Sequence, residues 1–260
     1  MNGLWRCAKY AFSPNKLKYC GPDKNQELAG YLKTKTSDLG LEKILAEFAA
    51  MWPYLKLIAK ENGITDPFDE KVVEAYWLGN ALLETVSLKS FFNHARPRLA
   101  KKDLKWFEIK LPQGAKPNHQ FHVFNFWKRT GHLARLHTLE TMDNCRISAG
   151  RIILPQQLRR AQSFATPLDV SSGGSPDILR ATFAVGRNLL VVKTDKLIYK
   201  NGRLELEPTI KEVQSLEGGY KPGDLVTIHW NCVCEKVTVQ QAKNLEKYTR
   251  LALRLANLTV

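Results

Sequence analysis

The chain has 260 residues, of which 44% are hydrophobic and 25% are charged, and its formal net charge is +14. This balance is typical of a folded globular protein, and it excludes disordered, collagen-like and membrane-spanning chains because charged residues interrupt every apolar run before about 18 residues. The positive charge is spread evenly, with 22 Lys/Arg against 14 Asp/Glu in residues 1–141 and 17 against 11 in residues 142–260. Such a distribution lacks a basic stripe and argues against a nucleic-acid-binding surface.

The first half of the chain has the apolar periodicity and the end signals of helices. Asp66 can cap a helix whose first turn contains Pro67, and an apolar stripe follows it. Pro53 is expected to break or kink a longer helical stretch. The predicted helices are 24–34, 41–50, 54–60, 67–86 and 87–95.

Strand-like patterns follow. Two aromatic-rich segments, 106–109 and 121–126, are predicted to be strands of the first half. From Cys145 onward, short β-like runs alternate with turn residues, and Asn201-Gly202 is a strong hairpin signal. A capping box at 238–241 opens a final helix. The strands predicted for this half are 147–154, 182–185, 189–194, 196–199, 203–206 and 224–230.

These elements predict an α+β protein with two domains. Residues 1–141 form a mainly helical domain with a few strands, and residues 142–260 form a small, OB-like β-barrel with a C-terminal helix. The boundary is placed at 141–144, where the helical signals stop. The first twenty residues do not have the pattern of a secretory signal, so a cytoplasmic location with reduced thiols is expected.

Cysteine and histidine are the residue types left to carry chemistry, because the common nucleotide, hydrolase and paired-cysteine motifs are missing from the sequence. Cys232 and Cys234 are too closely spaced for a zinc knuckle, so they are predicted to be buried, structural and unmetallated. Four histidines lie within nineteen positions, namely His119, His122, His132 and His137. Their spacing does not place three on one face of one element, so packed or solvated histidines are predicted rather than a metal site.

Two segments of the second half carry a family resemblance. Residues 145–152 read CRISAGRI, a cysteine followed five residues later by glycine and then a basic residue. Residues 222–229 read PGDLVTIH and continue into Cys234-Glu235-Lys236 and a helix. Together they resemble the HypC/HupF family of NiFe-hydrogenase maturation chaperones, which has a G-D-x-V-x-V-H strand and an E-K turn before its helix.

The resemblance implies iron handling. In that family a cysteine and the strand histidine are thought to help hold an iron fragment with cyanide and carbon monoxide ligands. The fragment passes between an iron–sulfur partner and the hydrogenase large-subunit precursor. Applied to this sequence, the resemblance implies that Cys145 and His229 bind the metal. It also implies that the protein has no permanent cofactor and holds an iron fragment only transiently. The family's cysteine is normally N-terminal, whereas Cys145 is internal.

Barrel topology predicts that these two residues meet. Cys145 begins the first strand of the predicted barrel and His229 ends its last, and closing a small barrel pairs the terminal strands. A thiolate suits iron, and a nearby imidazole can ligate it or hydrogen-bond to it.

The first half resembles a different, uncharacterised family of bacterial and archaeal proteins in residues 10–22 and 121–125, which implies no activity. Cys20 precedes Gly-Pro at the predicted entry to a helix, where the helix dipole could lower the pKa of the thiol. With His122 it could form a nucleophilic pair. The alternative is a packed cysteine in a rigid turn.

The sequence therefore supports three functional hypotheses. The leading hypothesis is a non-catalytic maturation or accessory protein of metalloenzyme assembly, whose partner is a hydrogenase large-subunit precursor or a maturation factor. The alternatives are a cysteine-dependent enzyme using Cys20 and His122, and a nucleic-acid-binding barrel. They require, respectively, Cys145 beside His229, Cys20 beside His122, or exposed aromatic residues beside a basic stripe.

Overall fold

The computed structural model describes residues 2–127, 137–154 and 188–258. The predicted strand 182–185 and His132 lie outside the described residues. Within them the chain is an α+β protein, with helices before residue 146, a five-stranded sheet after it and a C-terminal helix. This confirms the predicted class and the order of helical and β-rich parts.

The described residues contain eleven α-helices and two short 3₁₀ turns. The predicted helices near 24–34 and 87–95 are confirmed. The predicted stretch 41–60 is interrupted, as expected, into two helices, and Pro53 lies in the first turn of the second, where its missing N–H costs nothing. The helices are α1 (Gly3–Lys16), α2 (Asn25–Thr34), α3 (Leu39–Ala46), α4 (Trp52–Glu61), α5 (Glu70–Trp77), α6 (Leu82–Thr85), α7 (Leu88–Ala95), α8 (Lys101–Lys110), α9 (His119–Phe121), α10 (Leu139–Cys145) and α11 (Val239–Ala256).

The long helix predicted over 67–86 is wrong in length. Its N-cap is Asp69, whose side chain accepts a hydrogen bond from the N–H of Lys71, rather than Asp66. It ends at Trp77 because Gly79 follows with a φ of +86°. A left-handed residue of this kind ends a helix and suits glycine.

The two strands predicted in the first half are also wrong. Residues 106–109 lie in α8, whose buried Trp106, Phe107 and Lys110 have helical spacing. Residues 121–126 continue α9 as a π-helical segment, His122–Phe126. Every residue of that segment is buried, so its sequence has no exposed face and no period from which a helix could be read.

The sheet has strands β1 (Ser148–Ile153), β2 (Asn188–Lys200), β3 (Arg203–Ser215), β4 (Leu225–His229) and β5 (Cys232–Lys236). Antiparallel pairs join β1 to β2 and β4, β2 to β3, and β4 to β5. The pairings continue from β3 to β5 through two parallel residue pairs. The sheet is therefore strongly curled, but that short contact makes it less than a fully hydrogen-bonded barrel.

Local turn signals account for the hairpins. Asn201 and Gly202 both have positive φ, which confirms the predicted turn between β2 and β3. The runs 189–194 and 196–199 form one strand rather than two. Strand β5 was not predicted; it follows β4 through Trp230 and Asn231, which both have positive φ. Tryptophan in such a turn is not a signal that sequence reasoning recognises.

Both halves of the chain contribute to one buried cluster. Residues of α1, α4 and α5 share it with Ile147, Cys234 and Leu245 of the second half. The boundary predicted at 141–144 stays a prediction, although the described strands all lie beyond it. Among the described helices, none combines the length and apolar composition needed to cross a bilayer.

Candidate metal centre

Three side chains from distant parts of the chain meet in the interior. His119, Cys145 and His229 each offer one ligand atom, and these atoms all lie within 4.8 Å of one another. Ligands bound tetrahedrally at about 2.0–2.3 Å from one ion lie roughly 3.5 Å apart. The widest pair therefore needs to approach by roughly 1 Å for all three residues to bind one ion.

Strand pairing positions Cys145 and His229. Strands β1 and β4 are antiparallel, with Ser148 opposite Ile228, so the start of β1 lies beside the end of β4. Cys145 is the last residue of α10, just before β1. The N–H of Trp230 donates a hydrogen bond of 2.8 Å to the carbonyl of Asn144. The residue after His229 is thus hydrogen-bonded to the residue before Cys145. The structure confirms the prediction that Cys145 and His229 lie close together.

His119 reaches the site from the helical part of the chain. It begins α9, which is capped by the side chain of Asn118. Its ring lies 5.1 Å from the ring of His229 in a T-shaped arrangement and 4.7 Å from the ring of Trp77, centroid to centroid. A third potential ligand therefore comes from outside the HypC-like segments.

The hydrogen bonding of His229 fixes its tautomer. Its Nδ1 lies 2.7 Å from the carbonyl oxygen of Tyr10, to which it donates. Its Nε2 is buried and has no hydrogen-bond partner among the described residues. Burial lowers the pKa of His229 to about 4, against the opposing effect of the carbonyls of Tyr10 and Cys145. At neutral pH, Nε2 therefore carries a lone pair, as a metal-binding imidazole does.

His119 is also neutral. Burial, together with the neighbouring His229 and His122, holds its pKa well below the usual range. Its Nδ1 is buried and finds no hydrogen-bond partner in the part of the chain that the structure describes. A buried polar atom without a partner costs free energy, so a ligand that used it would recover that cost.

The thiol of Cys145 is protonated in the metal-free protein. The residue is half-buried overall, but its sulfur is desolvated, and this burial raises its pKa above the usual value. The site therefore contains no net charge without a metal. A metal would displace the thiol proton, which makes binding stronger as pH rises.

A cavity of about 40 Å³ adjoins the three residues. Apart from histidine and cysteine, its described lining consists of apolar and aromatic side chains such as Met51, Trp77 and Trp230. No aspartate, glutamate, lysine or arginine is among those lining residues. This volume exceeds the roughly 10–15 Å³ that a cavity needs to hold one water-sized group.

Two observations bear on the enzyme hypothesis, namely the cavity that Cys20 and His122 line and the surroundings of the Cys20 thiol. Cys20 and His122 both line this cavity but lie outside the three-residue cluster. Cys20 lies after the C-terminal end of α1 and five residues before α2, not at a helix N-terminus. Burial raises its thiol pKa to about 11, the reverse of the predicted lowering. The Cys-His enzyme stays a prediction.

The two cysteines of β5 are buried. Cys232 and Cys234 are both in the core, as predicted, and burial raises the pKa of each thiol. Neither belongs to the metal-ligand cluster found among the described residues. The histidine-rich stretch is visible in the sequence, but His119 was not predicted to be a metal ligand. The other two candidate ligands lie on separate elements, and the spacing of residues within one helix cannot indicate them.

Acid is expected to destabilise the metal-free protein. Below pH 6.5 the unfolded chain binds a proton at residue 229 that the folded chain does not bind until about pH 4. His119 acts in the same direction, so stability should fall as pH decreases from 6.5 to 4. Urea unfolding at several pH values with a chelator present measures this.

The matched comparison is the double variant His119→Gln/His229→Gln, whose stability should change less over this interval. Some dependence should remain, since burial also lowers the pKa of His94 to about 3. An equal slope in the variant and the parent protein would contradict the assignment.

The chain matches the model of DUF6390, a family of unknown function, over residues 1–172 and 178–260, and it belongs to that family. No curated protein and no solved structure matches it significantly. The family model spans both halves, so it includes His119 as well as Cys145 and His229.

Proposed function

We propose that this DUF6390 protein holds a soft transition metal as cargo and acts as an accessory protein in metalloenzyme assembly. The observation that carries the proposal is the convergence of His119, Cys145 and His229 within 4.8 Å in a buried site. Two imidazoles and one thiol are ligands for zinc, copper and iron rather than for magnesium or calcium.

The HypC/HupF resemblance supports iron as the cargo. The two residues that the resemblance singles out, Cys145 and His229, are two of the three that converge. They were chosen from sequence motifs alone, so their proximity is independent support. His119 would be an additional ligand supplied by the helical part of the chain.

The strand order supports an OB-like barrel. The pairings run β1-β2-β3-β5-β4 and return to β1, with a short parallel contact between β3 and β5. A partly open five-stranded barrel has this character. We propose that the second half is such a barrel. The end of its β1–β4 pair, where Cys145 and His229 lie, forms one wall of the metal site.

Charge and space favour a metal that carries small ligands of its own. Cys145 is the one anionic ligand of the three, so a bare divalent ion would leave a positive charge among apolar side chains, which is unfavourable. An anionic diatomic ligand such as cyanide offsets that charge. The adjoining cavity of about 40 Å³ has room for ligands of this size.

The first experiment is metal loading of the full chain. Anaerobic dialysis against Fe²⁺ is expected to give one bound iron per chain, with binding that weakens as pH falls. Less than about 0.1 equivalent of bound iron, together with no binding of Zn²⁺ or Cu⁺, would contradict metal binding at this site.

The second experiment tests the accessory role. The wild-type protein is expected to capture a hydrogenase large-subunit precursor or a maturation factor, and Cys145→Ala is expected to lose that capture or the iron that accompanies it. Equal capture of iron-loaded partner by both proteins would leave Cys145 without a role in handling cargo and would contradict the proposal.

A further inference from the structure

A second and larger cavity lies on another face of α1. Its volume is about 430 Å³, within the range of small-molecule binding pockets. Lys9 and Phe12 of α1 line it, whereas Ala11 and Pro14 of the same helix face the metal-site cavity. The cavity is also lined by α2, by the chain between β3 and β4, and by β5. It therefore lies between the helical part and the sheet, as many ligand sites do.

Lys9 is the unusual residue of this cavity. It is only 6% exposed, and its ammonium group makes no hydrogen bond or ion pair with any described residue. Its Nζ lies 4.4 Å from the centre of the Trp5 ring. A largely buried lysine whose ammonium group has an aromatic ring but no anion beside it is costly, so its retention at the wall of a cavity calls for an anionic partner that comes from outside.

The nearby carboxylates do not serve as that partner. Glu235 accepts hydrogen bonds from Arg6 and from the hydroxyl of Tyr10. Glu217 lines the cavity but forms no ion pair with Lys9. Burial lowers the pKa of Lys9, and both carboxylates oppose this only through space. A bound anion would supply the direct contact that Lys9 lacks.

The rest of the lining defines the kind of anion. Lys33 and Lys35 are exposed at the cavity and add positive charge, against the single carboxylate of Glu217. The walls are apolar and include Leu32, Leu216 and Val233. This combination suits a molecule with an anionic head group and an apolar body.

We propose that this cavity binds a small organic anion, with its carboxylate or phosphate head group on Lys9 and its apolar body against Phe12 and Leu32. The site is separate from the metal cluster, so the inference goes beyond the proposed metal-handling function. It can hold or fail without affecting that function.

Isothermal titration of the full chain tests the proposal with four probes. Phenyl phosphate and 3-phenylpropanoate carry both features, phenol carries only the apolar body, and inorganic phosphate carries only the head group. At least one of the two aryl anions is expected to bind with a dissociation constant below about 1 mM and about tenfold more tightly than phenol and inorganic phosphate. The stronger aryl anion identifies the head group.

Variants locate the site. Lys9→Met keeps the length of the side chain and removes its charge, so it should weaken the aryl anion about tenfold or more. Lys43→Met makes the same change at an exposed lysine outside the cavity and should leave binding unchanged. Ala29→Leu narrows the cavity while keeping Lys9, and it should also weaken binding if Lys9→Met fails to fold.

Three results would overturn the proposal. The first is the absence of binding by both aryl anions at about 1 mM. The second is phenol binding as tightly as the anions. The third is unchanged binding in folded Lys9→Met and in Ala29→Leu.

Discussion

Replacing Arg6 by methionine is expected to lower the free energy of unfolding by about 3–5 kcal/mol, because it leaves a buried carboxylate without its cation. Arg6 is 2% exposed and Glu235 is 3% exposed. The guanidinium donates to Oε1 of Glu235 at 2.8 Å and to Oε2 of Glu74 at 2.9 Å. Methionine fills a similar volume but can donate neither bond.

This ion pair joins the two halves of the chain. Arg6 lies on α1, Glu74 on α5 and Glu235 on β5. The hydroxyl of Tyr10 also donates to Glu235 at 2.7 Å. Burial alone would lower the pKa of Arg6, but the carboxylate of Glu235 and the hydrogen bonds raise it above its usual value. The guanidinium therefore remains charged. The substitution is destabilising because it leaves the buried carboxylate of Glu235 without a cation.

Two further variants separate this explanation from simple loss of packing. Arg6→Met/Glu235→Leu removes both charges and should recover a large part of the lost stability, since apolar replacements of buried pairs are often tolerated. Arg250→Met breaks an exposed pair with Glu246 and should cost less than about 1 kcal/mol. Urea unfolding gives all three values. A double variant less stable than Arg6→Met would contradict the account.

The parts of the fold that sequence predicts are those with local signals. Asn201-Gly202 fixes the β2–β3 turn, and the capping box at Thr238 and Gln241 starts α11, because both depend on neighbouring residues alone. Helix α1 was not predicted, since Pro14 lies inside it and its residues from Arg6 to Asn15, polar ones included, are all buried. The same uniform burial made 121–126 resemble a strand.

The candidate site also contains residues that sequence can predict and residues that it cannot. Cys145 and His229 could be brought together from sequence because strand order determines which ends of a sheet are adjacent. His119 could not, since its position depends on how α9 packs against α5 and α11 and brings this ring to His229. The partner of Glu235 was equally hidden, because Arg6 is 229 residues away in the chain. Tertiary packing carries this information, and periodicity does not.

Replacing Cys145 by serine is expected to weaken metal binding more than a hundredfold. Changes to residues that merely support metal ligands already cost about 10–100-fold, and Cys145 is the one thiolate among the three candidate ligands. Co²⁺ is a suitable probe, because a thiolate ligand gives it a charge-transfer absorption that imidazole does not. Anaerobic titration of the wild type should produce this band with one equivalent of Co²⁺, and Cys145→Ser should lack it.

The two histidines have separate expected effects. His229→Gln and His119→Gln should each weaken Co²⁺ binding while the thiolate band remains at saturating metal, since Cys145 is unchanged. His119→Gln is the sharper test, because this residue lies outside the segments that resemble HypC/HupF and was identified from the structure alone. If His119 only packs against Trp77, its replacement will alter stability but not the affinity for Co²⁺.

Cys20→Ser and His122→Gln are the matched controls, because both residues line the same cavity without belonging to the cluster. Both should keep the wild-type affinity and the thiolate band. Loss of the band in Cys20→Ser with its retention in Cys145→Ser would assign the thiolate to Cys20 and contradict the site described here. A band that is weakened but retained in both single variants, and lost only in Cys20→Ser/Cys145→Ser, would indicate two thiolates, and a metal held by Cys20, Cys145 and the histidines would then be neutral as a divalent ion. That outcome would remove the charge argument for a metal with anionic ligands and would favour a bare divalent ion instead.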